Sequence, residues 1–144
     1  MDFIVIITVI VLIIMGVFHF YWSFGGLLGL DKALPTKDAK LLLNPSKPLT
    51  FFVGLVLIVF AFIAYSLQFH DLTTLRSTTL YKYSGLFISI LFILRAVGEF
   101  NAVGFFKKIK DTEFAIYDTK YFSPLCLGLG IVFTILTYKA FAGD

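Results

Sequence analysis

Residues Tyr83 to Phe106 read YSGLFISILFILRAVGEFNAVGFF, and whether this run crosses a membrane decides the architecture. At a rise of about 1.5 Å per residue, a helix of roughly 24 residues extends about 36 Å, enough for a hydrocarbon core of about 30 Å. Only Arg95 and Glu99 bring charge into the run. On a continuous helix their four-residue separation places both on one face. Each costs about 2.5–3.5 kcal/mol at a bilayer centre on insertion scales, so the face demands a partner or a function.

Composition supports the membrane reading. Of the 144 residues, 59% are hydrophobic and only 15% charged, where a soluble domain averages about 25% charged. The apolar residues gather into runs near the length of a span, which excludes an ordinary soluble domain and points to one membrane domain over residues 1–144. The net charge of +3 sits largely in lysines between the runs, where lipid headgroups rather than nucleic acid would meet them. Cys126 is the only cysteine, so no intramolecular disulfide forms, and it reads as a small buried apolar residue.

Working outward, the first span covers about residues 3–24, the second 51–69, the third is the opening stretch at 83–106, and the fourth covers about 125–141. The β-branched start of the first would favour a strand in water, but an isolated segment in lipid must satisfy its own backbone, so it is a helix. With no basic region before it and a length beyond a signal-peptide core, it is expected to be a retained span. Gly25 and Gly29 allow either close helix packing or an exit from the helix, the exit being preferred. Between the first two spans, Thr36 to Leu43 is expected to form a short interfacial helix ended by Pro45 and Pro48. Residues 107–123 mix lysines with aromatic residues and suit a second interfacial segment. Pro124 opens the fourth helix. His70 and Asp71, adjacent in the second loop, are read as solvated. The expected fold is an all-α integral membrane protein, a four-transmembrane-helix bundle with a short amphipathic, interfacial segment in the cytoplasmic loops.

Four Lys fall in the first loop and four in the third, against three Lys or Arg on the opposite side. The positive-inside rule then puts both loops in the cytoplasm and both termini outside. On this topology His19 and Glu99 each lie about 24 Å along their helices from the outer surface. The two are therefore expected to share a level in the cytoplasmic half of the bilayer.

The candidate site follows. Arg95 and Glu99 form either a self-neutralised structural pair or a functional one, in which the spare donors of Arg95 hold a phosphate or carbonyl. Gly98, on the same face, would let a ligand or helix approach. His19 shares its face with Trp22 and Ser23, and opposite Glu99 it would form a proton-handling couple. Glu99 and His19 are thus the candidate catalytic residues, and Arg95, Trp22, Ser23, Gly98 and Asp118 the candidate ligand-binding ones, with Asp118 over the mouth of the cavity. No phosphate loop, nucleotide fingerprint, Ser-His-Asp set or metal cluster is present, and no cofactor is expected.

The blocks HFYWSFGG at His19 to Gly26 and RAVGEFNAVGFFKKIKDTEFAIYDTKYFSPLCLGL at Arg95 to Leu129 resemble a family of small bacterial four-span membrane proteins catalogued as a domain of unknown function. The resemblance covers nearly the whole chain. It implies the architecture and a bacterial inner (plasma) membrane location, and assigns no site. In layout alone the chain is also similar to the four-helix sterol isomerase and sigma-2 receptor superfamily, where acids and a His line an intramembrane cavity.

Three functions fit these observations. The first is binding of a lipid or isoprenoid-like ligand, hydrophobic or anionic, in a cavity between the first and third spans, with or without catalysis. The second is a small transporter or channel subunit. The third is a structural or partner-docking membrane protein. Membrane lipids are the expected partners.

Overall fold

The computed structural model describes residues 1–37, 40–42, 44–69 and 75–143. Four helices are long and apolar enough to span a membrane: α1 (Asp2–Ser23), α3 (Lys47–Phe69), α4 (Leu75–Val97, apolar from Thr79) and α6 (Ser123–Ala142). Between them lie α2 (Leu30–Ala33), a hairpin of β1 (Thr36–Lys37) and β2 (Lys40–Leu41), α5 (Glu113–Tyr117) and a π-helical turn, Asp118–Phe122. In hydrocarbon a segment must close its own hydrogen bonds, so even the β-branched run of α1 is helical.

The long helices alternate in direction. Gln68 at the end of α3 donates to Asp2 at the start of α1 over 2.8 Å. At the same end of the bundle Tyr83 of α4 meets Phe141 of α6 edge to face. The first and third loops meet at the opposite end, where α2 packs on α5.

The helices pack as two tight pairs, α1 with α3 and α4 with α6. On α1 the buried positions Val5, Thr8, Leu12 and Gly16 recur at three- and four-residue spacing, a narrow stripe that leaves the other sides open. Gly16 and Gly54 bring the backbones together. A Cβ at Gly16 would stand 2.9 Å from Ile58 Cδ1 and 3.1 Å from the Gly54 carbonyl, and one at Gly54 would stand 3.0 Å from the Gly16 carbonyl. Lipid gives helices little hydrophobic reason to associate, so such close approach, with polar contacts, holds them. In the second pair the polar contact is explicit: Ser89 Oγ donates to the Gly130 carbonyl at 3.1 Å and lies 2.6 Å from Thr134 Oγ1. Phe92 joins the pairs, edge to face with Phe60 and stacked on Phe133, all within a shared apolar core.

Several boundaries differ from the sequence expectation. The third span stops at Val97, not Phe106: Gly98 has φ +84 and its N–H bonds the Leu94 carbonyl at 2.8 Å, an αL helix stop. Of the interfacial helix expected over Thr36 to Leu43, Asp38, Ala39 and Leu43 lie outside the described residues, and Thr36–Lys37 pairs instead with Lys40–Leu41 as short strands, Thr36 opposite Leu41. Gly25 and Gly29 lie beyond the end of α1, at its exit. α3 begins before Phe51 and holds Pro48 in its first turn, where a missing N–H is no loss. Pro124 stands in the first turn of α6, as expected, and the helical path leading into it begins at Glu113. A proline ring crowds the carbonyl four residues back; here that is Lys120, within the wide π turn. α1 packs on α3 and α4 on α6, so the first and third spans belong to different pairs. His70 and Asp71 fall outside the described residues.

The glycine contacts make a direct test. Gly16→Leu is expected to lower stability by about 1–3 kcal/mol through overpacking, whereas Gly128→Ala, with nothing within 4 Å of the new Cβ, is expected to be neutral or stabilising by up to about 1 kcal/mol. Thermal unfolding of the two variants in one detergent checks both.

Candidate functional site

Two constellations lie at the end of the bundle where the first and third loops meet. One is built on Asp118, at the start of the π turn, whose side chain is wholly buried. Its Oδ1 accepts from Arg95 Nη2 at 2.9 Å, and its Oδ2 from the Gly104 N–H at 2.8 Å and Lys107 Nζ at 3.0 Å. Lys107 spends its other donors on the Gly104 carbonyl at 2.9 Å and Thr119 Oγ1 at 2.6 Å. An ammonium has three donors, and all are used. The carboxylate thus ties the end of α4, the loop after it and the helix leading into α6. Two cations share one acid, so the cluster carries a net positive charge; Arg95 is 34% exposed and faces solvent or headgroups on one side.

The loop between Val97 and α5 is shaped by glycines. Gly98 and Gly104 both have positive φ and lie back to back, so that a Cβ on either would collide with the backbone of the other's turn. Phe105 N–H then returns to the Ala96 carbonyl at 2.9 Å. Glu99, expected on a helix face beside Arg95, instead turns its carboxylate onto its own loop and accepts from the N–H groups of Asn101, Ala102 and Val103. No ion pair joins Arg95 to Glu99. With Gly98 ending the helix, the i, i+4 relation that would have paired them is gone.

The second constellation is a groove of about 380 Å³ between the end of α1, the first loop and the start of α3. His19, Trp22, Asn44, Lys47 and Thr50 bring polar groups to it; Leu27, Leu30, Leu34, Leu49 and Val53 bring apolar ones. His19 Nδ1 lies 2.7 Å from the Met15 carbonyl. A carbonyl only accepts, so Nδ1 carries the hydrogen and Nε2 is left for another partner. The Trp22 ring stands edge-on to His19 at 5.1 Å, while its Nε1 donates to the Leu28 carbonyl at 2.9 Å and pins the loop. α2 forms part of the wall and leans on α5: Lys32 Nζ lies 3.6 Å from Glu113 and 5.7 Å over the Tyr117 ring. A hydrogen bond from Lys32 holds the exposed Asp31 carboxyl below its usual range, and Asp31 raises the lysine in turn.

The expected site residues therefore divide. His19 and Trp22 line the groove; Arg95, Glu99, Gly98 and Asp118 do not. The proton-handling couple of His19 with Glu99 is replaced by two separate environments, because the helices that carry or precede them belong to different pairs. Ser23 is buried and donates to the Phe20 carbonyl at 2.7 Å, as helical serines do. Asp118 is buried in the ion cluster rather than covering a mouth. Lys107 and Lys47 were hidden among the loop lysines. The distance in sequence between Lys107 and Asp118 carries no signal of their pairing, whereas Gly98, Asn101 and Gly104 in one short run do signal a turn.

A family model described as a protein of unknown function (DUF3995) matches residues 12–133. No curated protein and no solved structure matches the chain.

The ion cluster has a measurable consequence. Asp118→Ala leaves Lys107 and Arg95 without their shared carboxylate and is expected to cost about 3–5 kcal/mol, the usual price of breaking a buried pair from one side. Removing the largely exposed Asp31–Lys32 contact with Asp31→Asn should cost less than about 1 kcal/mol. Unfolding of the two variants in detergent gives the comparison.

Proposed function

The chain belongs to the DUF3995 family, and we propose that it is an integral membrane protein that binds a lipid or isoprenoid-like amphiphile in the groove between α1, the first loop and α3. The observation that supports this reading is the make-up of that groove: apolar walls with polar groups gathered among them, at the end of two helices whose exposed faces are largely apolar. An amphiphile already in the bilayer reaches such a groove without leaving the membrane, with its tail along the exposed surface of α1 and α3. His19 offers Nε2 to a polar head, and Trp22 supplies an aromatic wall. Arg95, Glu99, Gly98 and Asp118 serve it by building the loops at this end rather than by touching the ligand. The lysine distribution supports placing those loops in the cytoplasm and the termini outside.

Transport finds less support, since the hydroxyls of Ser89 and Thr134, between α4 and α6, are satisfied within that pair. The test is to purify the full chain gently and identify its bound lipids by mass spectrometry. Val53→Trp, which fills the groove, is expected to lose bound lipid by about tenfold or more, a drop of about 1.4 kcal/mol in affinity. Val59→Trp, on an exposed part of α3 away from the groove, should retain it, and so should Glu99→Gln. Equal lipid on both tryptophan variants would refute the groove as the binding site.

A further inference from the structure

Resting on the groove as a lipid site, we infer that its ligand is an anionic phospholipid, recognised at the phosphate by Lys47, with His19 Nε2 accepting from a hydroxyl of the head. The polar lining of the groove contains no acid: its charged side chain is Lys47, and its titratable one is His19. Lys47 forms no ion pair among the described residues, unlike Lys32 and Lys107 at the same end of the bundle. Its ammonium lies toward Gly25, about 4.0 Å from where a Cβ there would stand, so no side chain of that residue comes between it and the groove. His19 is committed to Met15 through Nδ1 only. Its Nε2 is then left as an acceptor for a hydroxyl of the head.

Trp22 does not compete for the head, because its N–H is already held by Leu28. It contributes a flat apolar surface where the glycerol and the first methylenes would lie, the position aromatic rings take at a membrane interface. Size agrees with a head and glycerol rather than a whole lipid: about 380 Å³ is at the small end of ligand sites, which run about 300–1,000 Å³. The acyl chains remain in the bilayer against α1 and α3. A zwitterionic head would put a second cation beside Lys47, which lowers its affinity by like-charge repulsion.

The source of the phosphate and the role of the lysine are separable by experiment. The full chain is reconstituted in nanodiscs of phosphatidylcholine carrying a small fraction of phosphatidylglycerol, and the lipids retained after extraction are quantified. The wild type is expected to enrich phosphatidylglycerol, and Lys47→Gln to reduce that enrichment about fivefold, the factor for about 1 kcal/mol per lysine acting on an anionic lipid. Lys108→Gln, an exposed lysine of the third loop outside the groove, should leave the enrichment unchanged. Inorganic phosphate at millimolar concentration should not displace the lipid. Equal losses on Lys47→Gln and Lys108→Gln would mean a diffuse surface charge, and displacement by inorganic phosphate would mean a free-anion site; either overturns the inference. Retention of both lipids without preference, abolished by Val53→Trp, would overturn the anionic head while leaving the groove intact. Loss of the groove itself would show as no effect of Val53→Trp on either lipid.

Discussion

The end of the bundle depends on one buried carboxylate. Asp118 has no exposure to solvent and binds Arg95, Lys107 and the Gly104 backbone at once. Desolvating an ion costs several kcal/mol, and that cost is offset only where the geometry satisfies every partner. Asp118 accepts on both oxygens and Lys107 uses all its donors, although among the described residues Arg95 Nη1 stays buried without a hydrogen-bond partner. Three successive segments are locked as a result: the last turn of α4, the glycine loop and the helical run into α6. The π turn that begins at Asp118 serves the same end, since its widened backbone lies just ahead of Pro124. Seen this way, the costly charge in the third helix is a structural anchor placed where that helix is already ending.

The rest of the bundle follows a different rule. Apolar side chains face outward on all four long helices, because lipid solvates them as well as a neighbouring helix does. Specific association then falls to close backbone approach at Gly16 and Gly54, to the Ser89 and Thr134 hydroxyls, and to the aromatic contacts through Phe92. These contacts make two tight pairs with a lighter seam between them. The pairing decides which polar residues can meet: it keeps His19, on α1, apart from the residues that follow α4.

That separation explains why the groove is a simpler site than a mixed acid, base and arginine cavity. Its charge is positive, its walls are apolar, and α2 links one wall to α5 through Lys32, Glu113 and Tyr117. The loops that shape it stand where helices end and the chain can adopt irregular backbone, which lipid forbids in the middle of a span. An amphiphile bound as proposed would lie at such a depth, with the head among the loops and the tail against the helices.

Sequence alone determined the class of fold. Long apolar runs have only the helix open to them in hydrocarbon, so four long apolar helices and the lysine-rich loops between them were readable from residue order, though not the limits of the third. The helix stop at Gly98 was readable too, since Asn101 and Gly104 follow it closely, but the apolar residues around them matched a span and outweighed that signal. Only the tertiary structure decided the partners. An i, i+4 spacing pairs Arg95 with Glu99 solely if the helix continues, and once it ends, Glu99 caps its own loop while Arg95 reaches across to Asp118. Equal depth along two helices likewise implies contact only if those helices pack. Residue order cannot specify that packing, because in lipid a few small and polar residues choose the neighbours rather than a continuous hydrophobic stripe.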